Sequence, residues 1–351
     1  MIKIELVEDK KAWDNIASSS SPSTVLQSWD WGDFQVSLGR KIWRIGVYDD
    51  DVLVGVALAQ LIPTKLRTHI YVSNGPVIRR EKVKEYMPKL IGYLKALAIQ
   101  EKVHFVRIDP LYKDDELINK ELSDMGMKRS QTFTQSENKW LLDVTEEEES
   151  LLRNMRKSTR YEIKKAEREG VTVYSSDKIE DYKQFEKLFL ITAKRQNFIP
   201  HPITYYEKQF TTLTKGGIYK AYCAVRNGEV LATALISFYG DTASYLHASS
   251  LSNPEVNKYM APPALVWQAI KDTKAKGMKY FDFWGIALTD DPKHPWAGFT
   301  RFKKGFGGFL FKVVRSYDIP TSPRYPLIAL MDATRESWGI WYYKLLKLLK
   351  R

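Results

Sequence analysis

The sequence predicts an α/β (α+β) fold made of two copies of one unit, each a mostly antiparallel sheet with a crossover helix. Three observations carry this. The run from Val47 to Val56 aligns without a gap with the run from Val225 to Ala234, and in each a short polar turn joins two apolar strands. The elements that follow then recur in the same order. Finally, 351 residues that are 44% hydrophobic and 13% aromatic supply enough apolar material for two cores and too much for one ordinary core.

Taken in order, the chain begins with a short strand, a helix over Lys10 to Ser18 and a Ser-Pro-Ser-Thr turn that marks a second helix start before Trp29. Arg44 to Tyr48 and Val52 to Leu61 form a hairpin around Asp49 to Asp51. Ile70 to Ser73 is a third strand, Lys82 to Gln100 an amphipathic helix, and Val103 to Asp109 a further strand. In the second copy the hairpin turns at Asn227-Gly228, Ser244 to Ser249 is the third strand, Pro263 to Lys276 the helix, and Lys279 to Trp284 the last strand. This order resembles that of GNAT-type acyltransferases, which by itself assigns no activity. The expected organisation is one domain over residues 1–145, a second over 146–335 that opens with a basic helix at 151–168, and an amphipathic basic segment at 336–351.

Charge bounds the partners. Lys and Arg number 54 against 42 Asp and Glu, a net charge of +12 that favours RNA, a phosphorylated ligand or an anionic membrane face. Cys223 is the single cysteine, so neither an internal disulfide nor a thiolate metal site is expected, and a reducing cytoplasm is the natural setting. Five scattered histidines carry no metal-ligand spacing, so no metal is expected. The N-terminal residues alternate charged with apolar side chains, unlike a signal peptide. The longest apolar run, Val52 to Ile62, is too short to span a bilayer.

Two stretches concentrate chemistry. From Tyr280 an aromatic strand with one carboxylate, Asp282, runs to Gly285, and a Pro-, Gly- and Asp-rich loop follows. Phe299 to Gly308 then sets Arg301, Lys303 and Lys304 among Phe299, Phe302 and Phe306 and closes on glycines that permit a sharp turn. A cation held against rings is desolvated and acts more strongly on a neighbouring oxyanion. The competing reading is a surface loop and a strand with solvated lysines. In the helix expected at 151–168, Arg153, Arg156, Arg160 and Lys164 share a face that either follows a phosphate backbone or is simply solvated. The end of the chain, with Trp338, Trp341 and Lys344 to Arg351, suits either an anionic membrane surface or packing on the second domain.

These motifs together resemble the FemABX family, peptidyltransferases that move an amino acid from aminoacyl-tRNA to a peptidoglycan precursor. The resemblance runs through Gln27-Ser28-x-x-Trp31, Gly75-Pro76-Val77, Arg107-Ile108-Asp109-Pro110, Pro202-Ile203-Thr204-Tyr205-Tyr206, Tyr259-Met260-Ala261-Pro262 and the stretch from Phe281 to Gly308. It implies a simple member without the coiled-coil arm that others insert. By resemblance, Phe302 and Lys303 gate the site and place an ammonium near the ester carbonyl. Tyr205 and Tyr259 match acceptor-pocket tyrosines, Asp109 a carboxylate near the site, and Lys304 lies in the same signature. Gln35 and His201 stand where some members carry a Lys and an Arg that bind acceptor diphosphate, which argues for a lipid-linked precursor over a nucleotide-linked one.

The expected activity is therefore aminoacyl transfer from aminoacyl-tRNA to a peptidoglycan stem peptide, without a cofactor, by a cytoplasmic monomer in peripheral contact with the inner membrane face. Two other classes stay open. A thioester-dependent N-acyltransferase would carry a Q/R-x-x-G-x-G/A loop before its main helix, and neither copy has one. A non-catalytic RNA- or membrane-binding protein of the same fold would leave Phe302 and Lys303 facing solvent.

Overall fold

The two hairpin turns are where local chemistry fixes the architecture. Asp50 and Asp51 in the first, and Asn227 and Gly228 in the second, all adopt positive φ, from 45° to 80°. Asp, Asn and Gly tolerate the left-handed region best, and two such residues form the turn whose twist matches paired strands. The computed structural model describes every residue except 65–66, 133, 197, 290 and 335–351.

From the N-terminus the elements are β1 (Ile2–Leu6), α1 (Lys10–Ala17), α2 (Trp29–Ser37), β2 (Ile42–Asp49), β3 (Val52–Ile62), β4 (His69–Val72) and β5 (Val77–Ile78). They continue with α3 (Val83–Gln100), β6 (Phe105–Ile108), α4 (Glu116–Asp124), β7 (Lys128–Arg129) and β8 (Asn138–Asp143). Next come α5 (Glu148–Asn154), α6 (Lys157–Arg168), β9 (Thr172–Ser176), α7 (Ile179–Gln196), α8 (Ile203–Lys215), β10 (Tyr219–Arg226) and β11 (Glu229–Tyr239). The remainder is β12 (Thr242–Ser250), α9 (Pro254–Asn257), α10 (Ala261–Ala275), β13 (Tyr280–Gly285), α11 (Ala297–Lys304), β14 (Phe309–Lys312) and β15 (Tyr317–Pro320), followed by a helix over 325–334.

One sheet runs β1-β2-β3-β4-β6-β15-β7 with β5 beside β3, and the other runs β14-β8-β13-β12-β11-β10-β9. Each holds a parallel pair, β4 with β6 and β12 with β13, amid antiparallel neighbours. Parallel neighbours need a crossover, and α3 and α10 supply it. Beneath α3 the first core gathers Val72, Leu90, Leu94, Val106 and Ile108. Beneath α10 the second gathers Ile236, Val266, Ile270, Phe281 and Phe283. The duplicated α/β unit expected from the sequence is thus present in both halves.

The halves are not continuous spans. One compact unit comprises Met1–Ala17, Gly39–Glu137 and the chain from Lys312, and the other comprises Ser18–Leu38 and Asn138–Phe311. The expected spans, 1–145 and 146–335, differ from these because three segments pair elsewhere. Residues 18–38 belong to the second unit, where the Ser23 amide donates to Asp241 at 2.9 Å and α2 packs on α8. β8 precedes residue 145 yet lies between β14 and β13, and β15 lies between β6 and β7. The segment 336–351 falls outside the described residues.

The basic helix expected over 151–168 is two helices. At Met155 and Arg156 the backbone is extended, with ψ of 154° and 142°. Two contacts stabilise the break. The Arg156 amide donates to the Gly305 carbonyl at 2.9 Å, and Arg160 Nη1 reaches back to the carbonyls of Arg153 at 2.9 Å and Met155 at 2.6 Å. Those carbonyls close the end of α5 and would otherwise lack partners.

Candidate functional site

Strand β13 positions the site through an irregularity. It pairs with β8 as Asp282↔Leu141 and then Gly285↔Lys139, so Phe283 and Trp284 together oppose Trp140. This is a bulge, and Trp284 within it has φ of 66°, a conformation a bulky residue adopts only when held. Asp282 Oδ1 holds it by accepting the Trp284 amide at 2.6 Å. Asp282 Oδ2 meets Lys139 Nζ at 2.7 Å, and the same ammonium lies 3.7 Å from the centre of the Trp284 ring. Lys139 and Asp282 are both almost wholly buried, 2% and 4% exposed.

The stretch expected as a basic-aromatic turn is the helix α11. Phe299, Phe302 and Phe306 recur at three- and four-residue spacing, the helical period, and this signal was available in the sequence. Thr300 is buried and its hydroxyl accepts the Ala287 amide at 3.0 Å, tying α11 to the strand end. Arg301 and Lys304 are exposed, whereas Phe302 and Lys303 turn inward. The glycines after it serve close packing: a Cβ on Gly305 would stand 2.5 Å from Thr159 Oγ1 on α6, and Gly308 has φ of 94°.

Lys303 Nζ donates to the Gly285 carbonyl at 2.6 Å. Burial pushes its ammonium down to about 8; Asp282 pulls the other way and Lys139 adds to the depression. A cavity of about 330 Å³ opens beside it, with Thr233 of β11, Tyr245 and Ser249 of β12 and Arg195 of α7 in its wall. Its described lining holds two cations, Arg195 and Lys303, and no carboxylate. Beyond Phe302 lies a second cavity of about 330 Å³, bordered by Leu231, Val256, Met260 and Glu162. Phe302, Ser250 and Pro262 belong to the walls of both. A desolvated ammonium that is still charged at neutral pH, held by a carbonyl and facing a largely apolar cavity, is suited to a developing oxyanion.

The other expected site residues are placed as follows. Tyr205 and His201 stack with centroids 4.3 Å apart, and Tyr205 packs edge-on to Phe34, the neighbour of Gln35. Gln35 itself is buried on α2 at 2% exposure. Tyr259 lies under the Arg226 guanidinium at 3.9 Å. Lys304 Nζ sits 5.2 Å from the Trp140 ring. None of these five borders either cavity. Asp109 belongs to the other unit, where Tyr71 donates to it. Burial pushes its carboxyl up to about 6, with Ser316, Tyr71 and Arg107 opposing that shift. Arg153 donates to Ser150 at 2.7 Å, Arg156 to the Arg301 carbonyl at 3.3 Å, and Lys164 is exposed. Sequence reasoning did not single out Lys139, Arg195, Thr233 or Ser249. A lysine in an apolar strand, as in Asn138-Lys139-Trp140-Leu141, is the one local signal among them.

A family model described as the FemAB family matches residues 9–219 and 216–333. The lipid II:glycine glycyltransferase of Staphylococcus aureus strain MRSA252 is 27% identical over 215 residues, 58% of this chain and 51% of that protein. The chain thus spans about half the length of the curated relatives it matches. Among solved structures, FemX superposes with a TM-score of 0.84 at 20% identity, covering 93% of this chain and all of that one. A tandem GNAT protein from the clavulanic acid biosynthesis pathway superposes with a TM-score of 0.55 at 11% identity, over 92% of this chain and 99% of that one.

Proposed function

The chain belongs to the FemAB family, and from that premise we propose that it is a peptidoglycan-bridge aminoacyltransferase, moving an amino acid from aminoacyl-tRNA to the stem peptide of a lipid-linked precursor. Lys303 carries the reading: an ammonium 2.6 Å from the Gly285 carbonyl, at the wall of a carboxylate-free cavity. An aminoacyl ester is already activated, so the reaction needs no ATP and no cofactor. The acceptor amine attacks the ester carbonyl, the C–N bond forms, and the C–O bond to the ribose breaks with the displaced proton passing to the ribose oxygen. Lys303 stabilises the tetrahedral oxyanion, and Phe302 separates the two cavities until substrate displaces it. Alignment of amine and ester supplies much of the remaining acceleration.

Support for the donor comes from the +12 charge, from Arg153 on α5, Arg156 at the break and Lys164 on α6, and from Trp296 and Phe299, whose exposed rings offer stacking to unpaired bases. Support for a lipid-linked acceptor comes from the relatives named for lipid II and from the absence of a cation at Gln35 and His201. No helix among the described residues is long and apolar enough to cross a membrane. Leu327, Leu330 and Met331 are exposed on the helix over 325–334, next to the Trp- and Lys-rich segment 336–351, and together they suit peripheral contact with an anionic inner leaflet.

The test is transfer of labelled amino acid from a panel of charged tRNAs to lipid-linked and nucleotide-linked peptidoglycan precursors. The lipid-linked acceptor should gain the label, and Lys303→Met should remove about a hundredfold of the rate, or about 3 kcal/mol of transition-state stabilisation. No transfer from any charged tRNA to either acceptor would sink the proposal.

A further inference from the structure

Lys139 and Lys303 both engage the bulged end of β13, Lys139 through its strand register and its ammonium, Lys303 through the Gly285 carbonyl. Gly285 is the register partner of Lys139 on β8, and its carbonyl is the acceptor for Lys303 Nζ. Asp282 pairs with Lys139 and holds the Trp284 amide, and the Lys139 ammonium in turn rests on the Trp284 ring. Breaking a buried ion pair by removing one partner is costly, while an apolar replacement of the pair is often neutral. A lysine retained at 2% exposure where a leucine would pack therefore calls for an explanation beyond stability.

We infer that Lys139 and Asp282 are positioning residues for Lys303: the pair holds the bulge that presents the Gly285 carbonyl to the ammonium, and it balances the charge around it. The role in transfer rests on the function proposed above; the positioning does not. Asp282 alone would hold the Lys303 proton tightly, and Lys139 alone would drive it off. The paired charges oppose each other, and desolvation is the largest influence, in line with the depression to about 8. The other charged groups around Lys303 are Arg195 of α7 in the same cavity wall, Arg301 and Lys304 on its own helix, and Glu162 of α6 across Phe302. Arg195, Arg301 and Lys304 are exposed and Glu162 is half-buried on the far side of Phe302, which leaves Asp282 and Lys139 as the buried charges that set the balance.

The experiment is an NMR titration of the Lys303 side chain in lysine-labelled full-length protein, with the signal assigned by Lys303→Arg. Asp282→Asn should lower the titration midpoint by about one pH unit or more, and Lys139→Gln should raise it by a similar amount. A midpoint that stays in place in both variants overturns the inference. Should either variant not fold, Lys139→Met/Asp282→Leu carries no buried charge and cannot accept the Trp284 amide. There the Lys303 ammonium hydrogens should exchange faster as the Gly285 contact loosens, and undiminished protection overturns the inference. In transfer assays the alkaline limb of kcat/KM should follow the same midpoints. Midpoints that move while transfer shows no such limb uphold the positioning and refute Lys303 as the transfer residue.

Discussion

At the scale of the residue, two buried ionisable groups make opposite demands. Asp109 is held up to about 6, so the folded protein binds its proton more tightly than the unfolded chain does. Its contribution to stability is then full below the unfolded value near 4 and is lost as pH rises through 6. Asp109→Asn should therefore stabilise the protein at pH 7.5 by about 2 to 3 kcal/mol at most, and flatten the dependence of Tm on pH between 4 and 7. An unchanged Tm profile would mean that the Asp109 carboxyl binds its proton no more tightly in the fold than in the unfolded chain. Lys303 is depressed to about 8, and in the transfer proposed above it acts as a cation, so wild-type transfer should decline as pH rises through that value. A rate still climbing at pH 9.5 would assign Lys303 a neutral role. Lys303 was legible in the sequence as a cation among aromatics. Asp282 was visible only as a lone carboxylate, and Lys139 not at all as its partner, because their meeting depends on a strand register between residues 143 positions apart in the chain.

At the scale of the element, the basic stretch is two helices with unequal cations. Arg160 closes the end of α5 through its carbonyl contacts, whereas Lys164 and Arg153 face outward. Arg160→Met should cost about 2 kcal/mol of stability, since hydrogen bonds from a charged donor are replaced by none. Arg153→Glu with Lys164→Glu should leave Tm nearly unchanged but weaken tRNA binding and reduce its salt slope by about one unit per lost phosphate contact. Equal stability losses in both variants would erase that distinction. The hairpins, α3, α10 and β13 were legible because their apolar periods and turn residues are local. The break at Met155 was not, because the contact that makes it comes from Gly305, and α11 was misread because its cations drew attention away from the spacing of its phenylalanines.

At the scale of the whole molecule, the two units share the chain in alternation. A fragment beginning at residue 146 lacks β8, the strand that pairs with β13 and carries Lys139, and also lacks α2, which packs on α8. Such a fragment, 146–335, should remain largely unfolded by far-UV circular dichroism and amide exchange. A cooperative thermal transition in it would show that β8 is dispensable. Duplication was readable from the sequence as a repeat of apolar pattern, but the exchange of segments was not, since a strand's pattern says which face is buried and nothing about which sheet it joins.

The place of β15 between β6 and β7 bears on how the protein is made. A ribosome delivers residues in order, and domains commonly fold as they emerge. Here the sheet that begins with Ile2 waits for Tyr317–Pro320 to fill its interior, so β6 and β7 are synthesised long before the strand between them exists. The nascent chain must therefore carry an open sheet edge through most of translation, and its yield in a cell should depend on whatever shields that edge until the last strand arrives.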